Sequence, residues 1–156
     1  MVETDHFQLI TTLHMNLTSL LLPEDLAAVN ELIASYLEAW NEHDASAFTD
    51  HFSEYAEFTD SMNQVAIGKP AIHRLIDFQF RVTHTTAQIG FDELYLRYLQ
   101  PDMVIGTGKW SFSTEKAAAP ARSYVGVVHM ICSKRDTSEW KIIFVHSLDR
   151  SNPYLS

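Results

Sequence analysis

Apolar residues recur at steps of three and four along the first third of the chain, which is the spacing of one face of a helix. The members of this stripe are Leu26, Val29, Ile33, Tyr36 and Trp40. Just before it, Pro23 is followed by two acidic residues, and both features are typical of a helix start. The pattern therefore predicts a helix that begins at Pro23 and buries this stripe.

A polar break ends that helix, and Asp44 is a suitable N-cap for a second, shorter helix that carries Phe48 and Phe52. The apolar period then changes to two, so that Phe58 and Asp60 share one side of a strand. The pattern thus predicts an acidic residue on the mainly apolar side of this strand.

The remainder of the chain predicts a third helix and a long sheet. A short strand through Val65 and Ile67 precedes Lys69 and Pro70, which open a helix whose inner stripe is Ile72, Leu75, Ile76 and Phe80. Four strands are expected near residues 86–99, 103–113, 121–133 and 139–149. The short connections between them predict antiparallel neighbours. This order of elements predicts an α+β fold in which a strongly curved, cone-shaped antiparallel sheet packs on three helices from the N-terminal half.

Length and composition fit one domain. The chain has 156 residues, of which 46% are apolar, and this is enough to form a core without metals or disulfides. We expect residues 1–22 to be an arm or a short helix and residues 23–156 to be a single domain. The lone cysteine, Cys132, is expected to be a buried strand thiol in a reducing compartment, since no neighbouring cation would activate it as a nucleophile.

The acidic composition limits the expected partners. Eleven Lys and Arg residues against twenty Asp and Glu residues give a net charge of −9. This charge repels phosphate backbones and anionic lipid surfaces, so we expect no nucleic acid or membrane partner. The apolar run at residues 17–22 is too short to span a bilayer and the first residues are acidic, which favours a cytoplasmic protein. A Gly-rich phosphate-binding loop is not evident in the sequence.

Several segments carry a resemblance to a known superfamily. They are Tyr36-Leu-Glu-Ala-Trp-Asn-Glu-His-Asp44, Ala47-Phe48, Ala56-Glu-Phe58, Gly68-Lys-Pro-Ala-Ile72 and Trp140-Lys-Ile142. Over about residues 24–150 the chain resembles the nuclear transport factor 2-like superfamily, especially its SnoaL-like and ketosteroid-isomerase-like branches. The resemblance implies a cystatin-like α+β roll, and the domain at 23–156 would be SnoaL-like. It implies no single chemistry, since many activities share this fold.

The resemblance also implies catalytic residues. The tyrosine and the general-base aspartate of ketosteroid isomerases fall on Tyr36 and Asp60, although a strand-end aspartate can equally be a solvated turn residue. The second acid of that family has no counterpart, and the nearest polar residue is His129. The implied function is a cofactor-independent isomerase, cyclase or dehydratase that moves a proton on a flat apolar carbonyl compound, polyketide, terpenoid or steroid-like. Asp60 would be the base, and Tyr36 and His129 would donate hydrogen bonds to the oxyanion.

The curved sheet is expected to form a small-molecule pocket against the helices. Two histidines and a set of aromatic residues are further candidates to line this pocket. Strand alternation predicts that His129 and His146 point inward, although a core or interface histidine bonded to a backbone carbonyl is the other interpretation. The wall of this pocket is expected to include Trp40, Phe48, Phe58, Phe78, Trp110 and Tyr124, any of which can also be an ordinary core residue. The histidine spacings do not predict a metal site.

The late strands are apolar on both faces, because Met130, Ile143 and Val145 alternate with the inner set. A sheet of this kind is covered on both faces. Helices should cover one face and a second subunit the other, which predicts a homodimer through the outer sheet face. A non-catalytic ligand-binding or dimeric assembly module is therefore the alternative to an enzyme.

Overall fold

The computed structural model describes residues 21–116 and 119–150. It also describes the side chains of these residues, except for those between 114 and 123. The expected N-terminal arm or short helix over residues 1–22 falls almost entirely outside this part of the chain. The described residues form three α-helices, a π-helical turn and a six-stranded sheet. The α+β fold predicted from the sequence is confirmed.

The helices begin where the sequence predicts. Helix α1 spans Pro23–Asn41, α2 spans Ala45–Asp50 and α3 spans Lys69–Phe78, after which the π-helical turn covers Gln79–Thr83. The predicted stripe of α1 is buried, with only its first residue partly covered. Asp44 caps α2 by accepting a hydrogen bond from the Ala47 N–H at 2.9 Å. Helix α2 ends before Phe52, which begins the first strand instead of continuing the helix.

The strands are β1 Phe52–Thr59, β2 Val65–Ile67, β3 Ala87–Gln100, β4 Met103–Lys116, β5 Ala119–Ser133 and β6 Lys141–Asp149. They form one sheet in the order β2-β1-β6-β5-β4-β3. The four long strands make the predicted antiparallel meander. Strand β1 pairs parallel with β6, which brings the end of β1 into the middle of the sheet.

Asparagine and histidine side chains fix the end of α1 to the start of β3. Asn41 bonds the backbone of Ile89 twice: its Nδ2 donates to the carbonyl at 3.0 Å, and its Oδ1 accepts from the N–H at 2.7 Å. Nε2 of His43 bonds the Ala87 carbonyl at 3.0 Å. These bonds hold α1 against the sheet, so that Tyr36 lies between the helices and the strands.

The side-chain alternation of β6 changes phase at Ile143. Cys132 pairs with Ile142, and Ile131 pairs with Phe144, so Ile143 is an extra residue in β6. A bulge of this kind shifts the following residues to the opposite face. Ile142 is therefore fully buried on the helix side, whereas Phe144 lies on the outer face.

The prediction that His129 and His146 point inward is wrong. They pair directly across β5 and β6 on the outer face, and both are exposed. The prediction that Met130 and Val145 lie on the outer face is also wrong, since both are fully buried. Because the late strands are apolar on both sides, alternation does not tell which side faces the helices, and a shift of one residue inverts every side chain.

Candidate functional site

Two adjoining chambers lie between the helices and the concave side of the sheet. The inner chamber has a volume of about 50 Å³ and the outer chamber about 300 Å³. Both are lined by Ser61, His84, Trp110 and Phe112. The inner chamber has room for a few small groups or water molecules, whereas the outer one reaches the lower end of the range for small-molecule pockets.

The π-helical turn after α3, which the sequence does not predict, places polar residues at this cavity. Gln79 is its first residue and is 3% exposed, and His84 follows its last residue and is half-buried. Both side chains line the inner chamber. Irregular helical turns of this type are frequent at functional sites.

Asp60 lies directly after β1, is 7% exposed and lines the inner chamber. Its Oδ1 accepts hydrogen bonds from the backbone N–H groups of Met62, at 3.0 Å, and Gln64, at 2.8 Å. Its Oδ2 accepts a hydrogen bond from Nε2 of Gln79. Three N–H donors thus provide both oxygens of this buried carboxylate with hydrogen-bond partners. Asp60 therefore holds the loop between β1 and β2 and also places a negative charge at the chamber wall.

Tyr36 is 3% exposed and lines the inner chamber from α1. Burial raises the pKa of its phenol, so the hydroxyl remains a neutral donor at physiological pH. Within the described residues, no other group forms a hydrogen bond with this hydroxyl. Every side-chain polar atom that is fully buried in this part of the chain does have a hydrogen-bond partner. The Tyr36 hydroxyl therefore opens onto the chamber, where it can donate a hydrogen bond to a ligand oxygen.

His84 lies where the two chambers meet. Its ring is 5.1 Å from the ring of Phe112, in an edge-on arrangement, and 5.9 Å from the ring of Trp40. Burial lowers the pKa of the His84 imidazole, the negative charge of Asp60 opposes this shift, and the nearby His43 adds to it. The imidazole is therefore neutral at physiological pH and can accept a proton.

The wall of the cavity is strongly aromatic. Three of the wall residues expected from the sequence, Trp40, Phe58 and Trp110, line the inner chamber, and Tyr124 lines the outer one. The indole N–H of Trp110 donates to the Val127 carbonyl at 3.1 Å, which fixes the plane of this ring. The cavity thus has a rigid, mostly apolar wall with a few polar groups.

Four residues predicted for the site lie elsewhere. His129 and His146 are on the outer sheet face, as described above. Phe48 is fully buried behind Tyr36, with ring centroids 4.7 Å apart, and does not line either chamber. Phe78 is 53% exposed, because the buried stripe of α3 lies on the opposite side of the helix.

The cavity also contains residues that the sequence pattern does not single out: Ser61, Gln79, His84, Ile89, Phe112 and Ser147. The position of His84 depends on the π-helical turn, which has no recognisable apolar period. Ser147 faces inward because of the phase change at Ile143, since it pairs with the buried Val128. The sequence signal for both residues is therefore weak.

Other candidate chemistry is not supported by the geometry. Cys132 is buried, and burial raises the pKa of its thiol to about 12, which makes it unreactive. Within residues 21–116 and 119–150, no group of three or more His, Cys, Asp or Glu side chains is arranged to hold a metal ion. None of the helices in this part of the chain is both long and apolar enough to cross a bilayer.

The fold and the cavity define the class of protein: a cystatin-like α+β roll with an acid, a histidine and a tyrosine in an aromatic cavity. The family model for the SnoaL-like domain matches residues 29–147, so the chain belongs to the SnoaL-like family. No curated protein matches the chain at a significant level.

Solved structures show the same fold at low sequence identity. Aln2 from a Streptomyces species superposes with a TM-score of 0.74 at 16% identity, covering 85% of this chain and 95% of its own. An NTF2-like protein with a cystatin-like fold from Novosphingobium aromaticivorans has a TM-score of 0.72 at 18% identity, with coverages of 85% and 86%. A type 2 hexachlorocyclohexane dehydrochlorinase, LinA, has a TM-score of 0.72 at 16% identity, with coverages of 81% and 86%. These identities support the fold alone.

Proposed function

We propose that this protein is a cofactor-independent enzyme that abstracts a proton from a flat, largely apolar carbonyl compound, in an isomerisation, cyclisation or dehydration. The observation that carries the proposal is that His84, Asp60 and Tyr36 line one small aromatic chamber. Burial lowers the pKa of the His84 imidazole, and the negative charge of Asp60 acts on this ring through space. A base that is unprotonated at physiological pH and lines the substrate cavity suits general-base catalysis.

The roles follow from the positions of the three residues around the inner chamber. His84 takes the proton from carbon, and Asp60 stabilises the imidazolium that results. The neutral Tyr36 hydroxyl donates a hydrogen bond to the oxyanion that develops on the carbonyl oxygen. The proton then returns from His84 to another atom of the substrate, or leaves with a hydroxyl group as water in a dehydration.

This assignment moves the role of base from Asp60 to His84. Both oxygens of the Asp60 carboxylate already accept hydrogen bonds, from two backbone amides and from Gln79, so they hold the loop between β1 and β2 in place. His129, which the sequence suggests as a second donor, lies on the other side of the sheet. The inner chamber offers the Gln79 amide as a polar group in its place.

The solved dehydrochlorinase removes the elements of hydrogen chloride from its substrate, as its name states. Such an elimination also removes a proton from carbon. The shared fold supports proton abstraction in this cavity.

A panel of flat apolar ketones in deuterium oxide tests the proposal. NMR and mass spectrometry would measure deuterium uptake at the carbon next to the carbonyl. The wild-type protein should catalyse uptake for at least one ketone, and His84→Gln should reduce the rate by about a hundredfold or more. The matched variant His73→Gln, on the outer part of α3, should keep the rate.

A non-catalytic ligand-binding module is the second candidate. The large outer chamber and the small inner one favour it, because a ligand can bind in the outer chamber without reaching Tyr36. Ketones that bind in the cavity by NMR but exchange no faster than in buffer would favour this module over the enzyme.

We further propose that the protein forms a homodimer through the outer sheet face. The apolar residues Ile105, Ile131 and Phe144 lie side by side on β4, β5 and β6, and each is partly exposed in a single chain. Leu148 extends this surface and is exposed. An apolar surface in the middle of a sheet is most simply covered by a second copy of the chain.

A further inference from the structure

Two histidines face each other on the outer side of the sheet. His129 of β5 and His146 of β6 are direct partners in the antiparallel register, and both side chains are exposed. Direct partners on antiparallel strands have Cβ atoms about 4.5–5.5 Å apart. The cavity lies on the other side of the sheet and is lined by neither histidine. The pair is therefore separate from the proposed catalysis.

This spacing suits a metal ion that both side chains share. An imidazole nitrogen binds a divalent transition metal at about 2.0–2.1 Å, so two such nitrogens on one ion lie roughly 3 Å apart. Exposed side chains can change rotamer to bring one ring nitrogen each to this distance. Within the described part of the chain, neither imidazole forms a hydrogen bond or an ion pair. Binding of an ion would therefore break no polar contact there.

The neighbours of the pair are compatible with a bound cation. Threonines flank the two histidines in the same row of the sheet, Thr59 on β1 and Thr107 on β4. Glu57 lies two residues before Thr59 on the same face of β1, and its negative charge favours a cation nearby. Lys109, which is diagonal to His129, forms an ion pair with Glu93 at 3.1 Å, and this offsets its charge.

We infer that His129 and His146 form a bidentate site for a divalent transition metal ion of the class of Zn²⁺, Ni²⁺ and Cu²⁺. The ion binds one neutral imidazole nitrogen of each side chain, and water molecules take its remaining positions. Imidazole ligands favour these ions, whereas Mg²⁺ prefers oxygen ligands. The site has two protein ligands, which is fewer than the groups of three or more that the described part of the chain lacks. The inference does not depend on the proposed function.

Titration with Zn²⁺ tests the inference. The full chain would first be freed of metal with a chelator and then titrated at neutral pH, with calorimetry for the affinity and NMR for the ring signals of each histidine. The signals of His129 and His146 should change together as Zn²⁺ is added, and Mg²⁺ should leave them unchanged. No change at either ring, or a change at one ring alone, would overturn the inference.

Variants locate the site. His129→Gln and His146→Gln each leave one imidazole, so each should weaken binding of Zn²⁺ at the pair about a hundredfold, because two linked ligands bind far more tightly than one. Both positions are exposed, so neither change should disturb the fold. His51→Gln is the matched control, since it removes a histidine that lies after α2 and is bonded to the Phe48 carbonyl, and it should keep the affinity. An affinity of the wild-type protein no higher than that of the two single variants would mean that the ion binds elsewhere, which overturns the inference.

Discussion

Gln79 donates its side-chain N–H to Oδ2 of Asp60, which joins the first residue of the π-helical turn to the end of β1. The same amide lies 3.4 Å from Oε1 of Gln64, so it connects the turn to the loop between β1 and β2 as well. The irregular end of α3 thus fixes the carboxylate of the site. Without this turn, neither Gln79 nor His84 would have its present position at the cavity.

Loss of this hydrogen bond should destabilise the protein. We predict that Gln79→Ala lowers the free energy of unfolding by about 1–3 kcal/mol, because Oδ2 of a buried, charged carboxylate loses its partner. Urea denaturation would measure the change. Gln88→Ala, at an exposed position of β3, is the control and should lower the free energy of unfolding by less.

Tyr36 should matter for chemistry rather than for stability. Because its hydroxyl has no partner in the described residues, Tyr36→Phe should change the free energy of unfolding by less than about 1 kcal/mol. The same change should slow proton exchange about a hundredfold through loss of the oxyanion donor. A variant with an unchanged exchange rate would remove Tyr36 from the mechanism.

An ion pair between the buried Asp25, near the start of α1, and the partly exposed Lys134 should make stability depend on pH. Asp25 accepts hydrogen bonds from the Tyr98 hydroxyl and, at 3.0 Å, from Nζ of Lys134. The hydrogen bond from Tyr98 and the interaction with Lys134 lower the pKa of the Asp25 carboxyl. A lowered carboxyl pKa stabilises the folded state above the pKa of the unfolded chain, and this stabilisation is lost as the pH falls through the folded-state pKa.

Accordingly, Asp25→Asn should lower the free energy of unfolding by about 2 kcal/mol at neutral pH, with a smaller effect in acid. Urea denaturation of both proteins across the acidic range would measure the difference. The exposed pair of Arg81 and Asp77 on the surface provides the control, and Asp77→Asn should cost well under about 1 kcal/mol. A cost for Asp25→Asn that does not change with pH would contradict the role of its charge.

Gly126 leaves space for the ring of Trp110. The two residues pair across β4 and β5, and a Cβ atom on Gly126 would lie 2.2 Å from the indole ring and 2.2 Å from the Leu148 carbonyl. We predict that Gly126→Ala costs about 1–3 kcal/mol and displaces the indole from the cavity wall. Denaturation and tryptophan fluorescence would measure both effects. An unchanged stability and spectrum would mean that the ring is not fixed there.

The proposed dimer predicts that charge on the outer sheet face separates the subunits. Phe144→Glu should convert a dimer to a monomer in sedimentation measurements, because Phe144 lies in the apolar surface of β4, β5 and β6. Val82→Glu, at an exposed position of the π-helical turn, should leave the dimer intact. A wild-type protein that is monomeric at all concentrations would contradict the proposal.

The sequence predicts the framework of this protein better than its site. The start of α1 at Pro23 and the cap at Asp44 follow from local chemistry, which is why they could be predicted. The inward or outward direction of His129 could not be predicted, because β5 is apolar on both faces and the bulge at Ile143 leaves no sequence signal. The pattern does not reveal His84, because its place depends on an irregular turn and on contacts between distant segments.

The pH dependence of ketone proton exchange tests the central claim, that His84 is the base and Asp60 its charged partner. Burial lowers the pKa of His84, so the exchange rate of the wild-type protein should stay constant from neutral pH into mildly acidic solution and then fall as the imidazole is protonated. Asp60→Asn removes the charge that raises this pKa, so the fall should move to lower pH. If the exchange rate of Asp60→Asn falls at the same pH as that of the wild-type protein, or if His84→Gln keeps the wild-type rate, His84 and Asp60 do not have these roles.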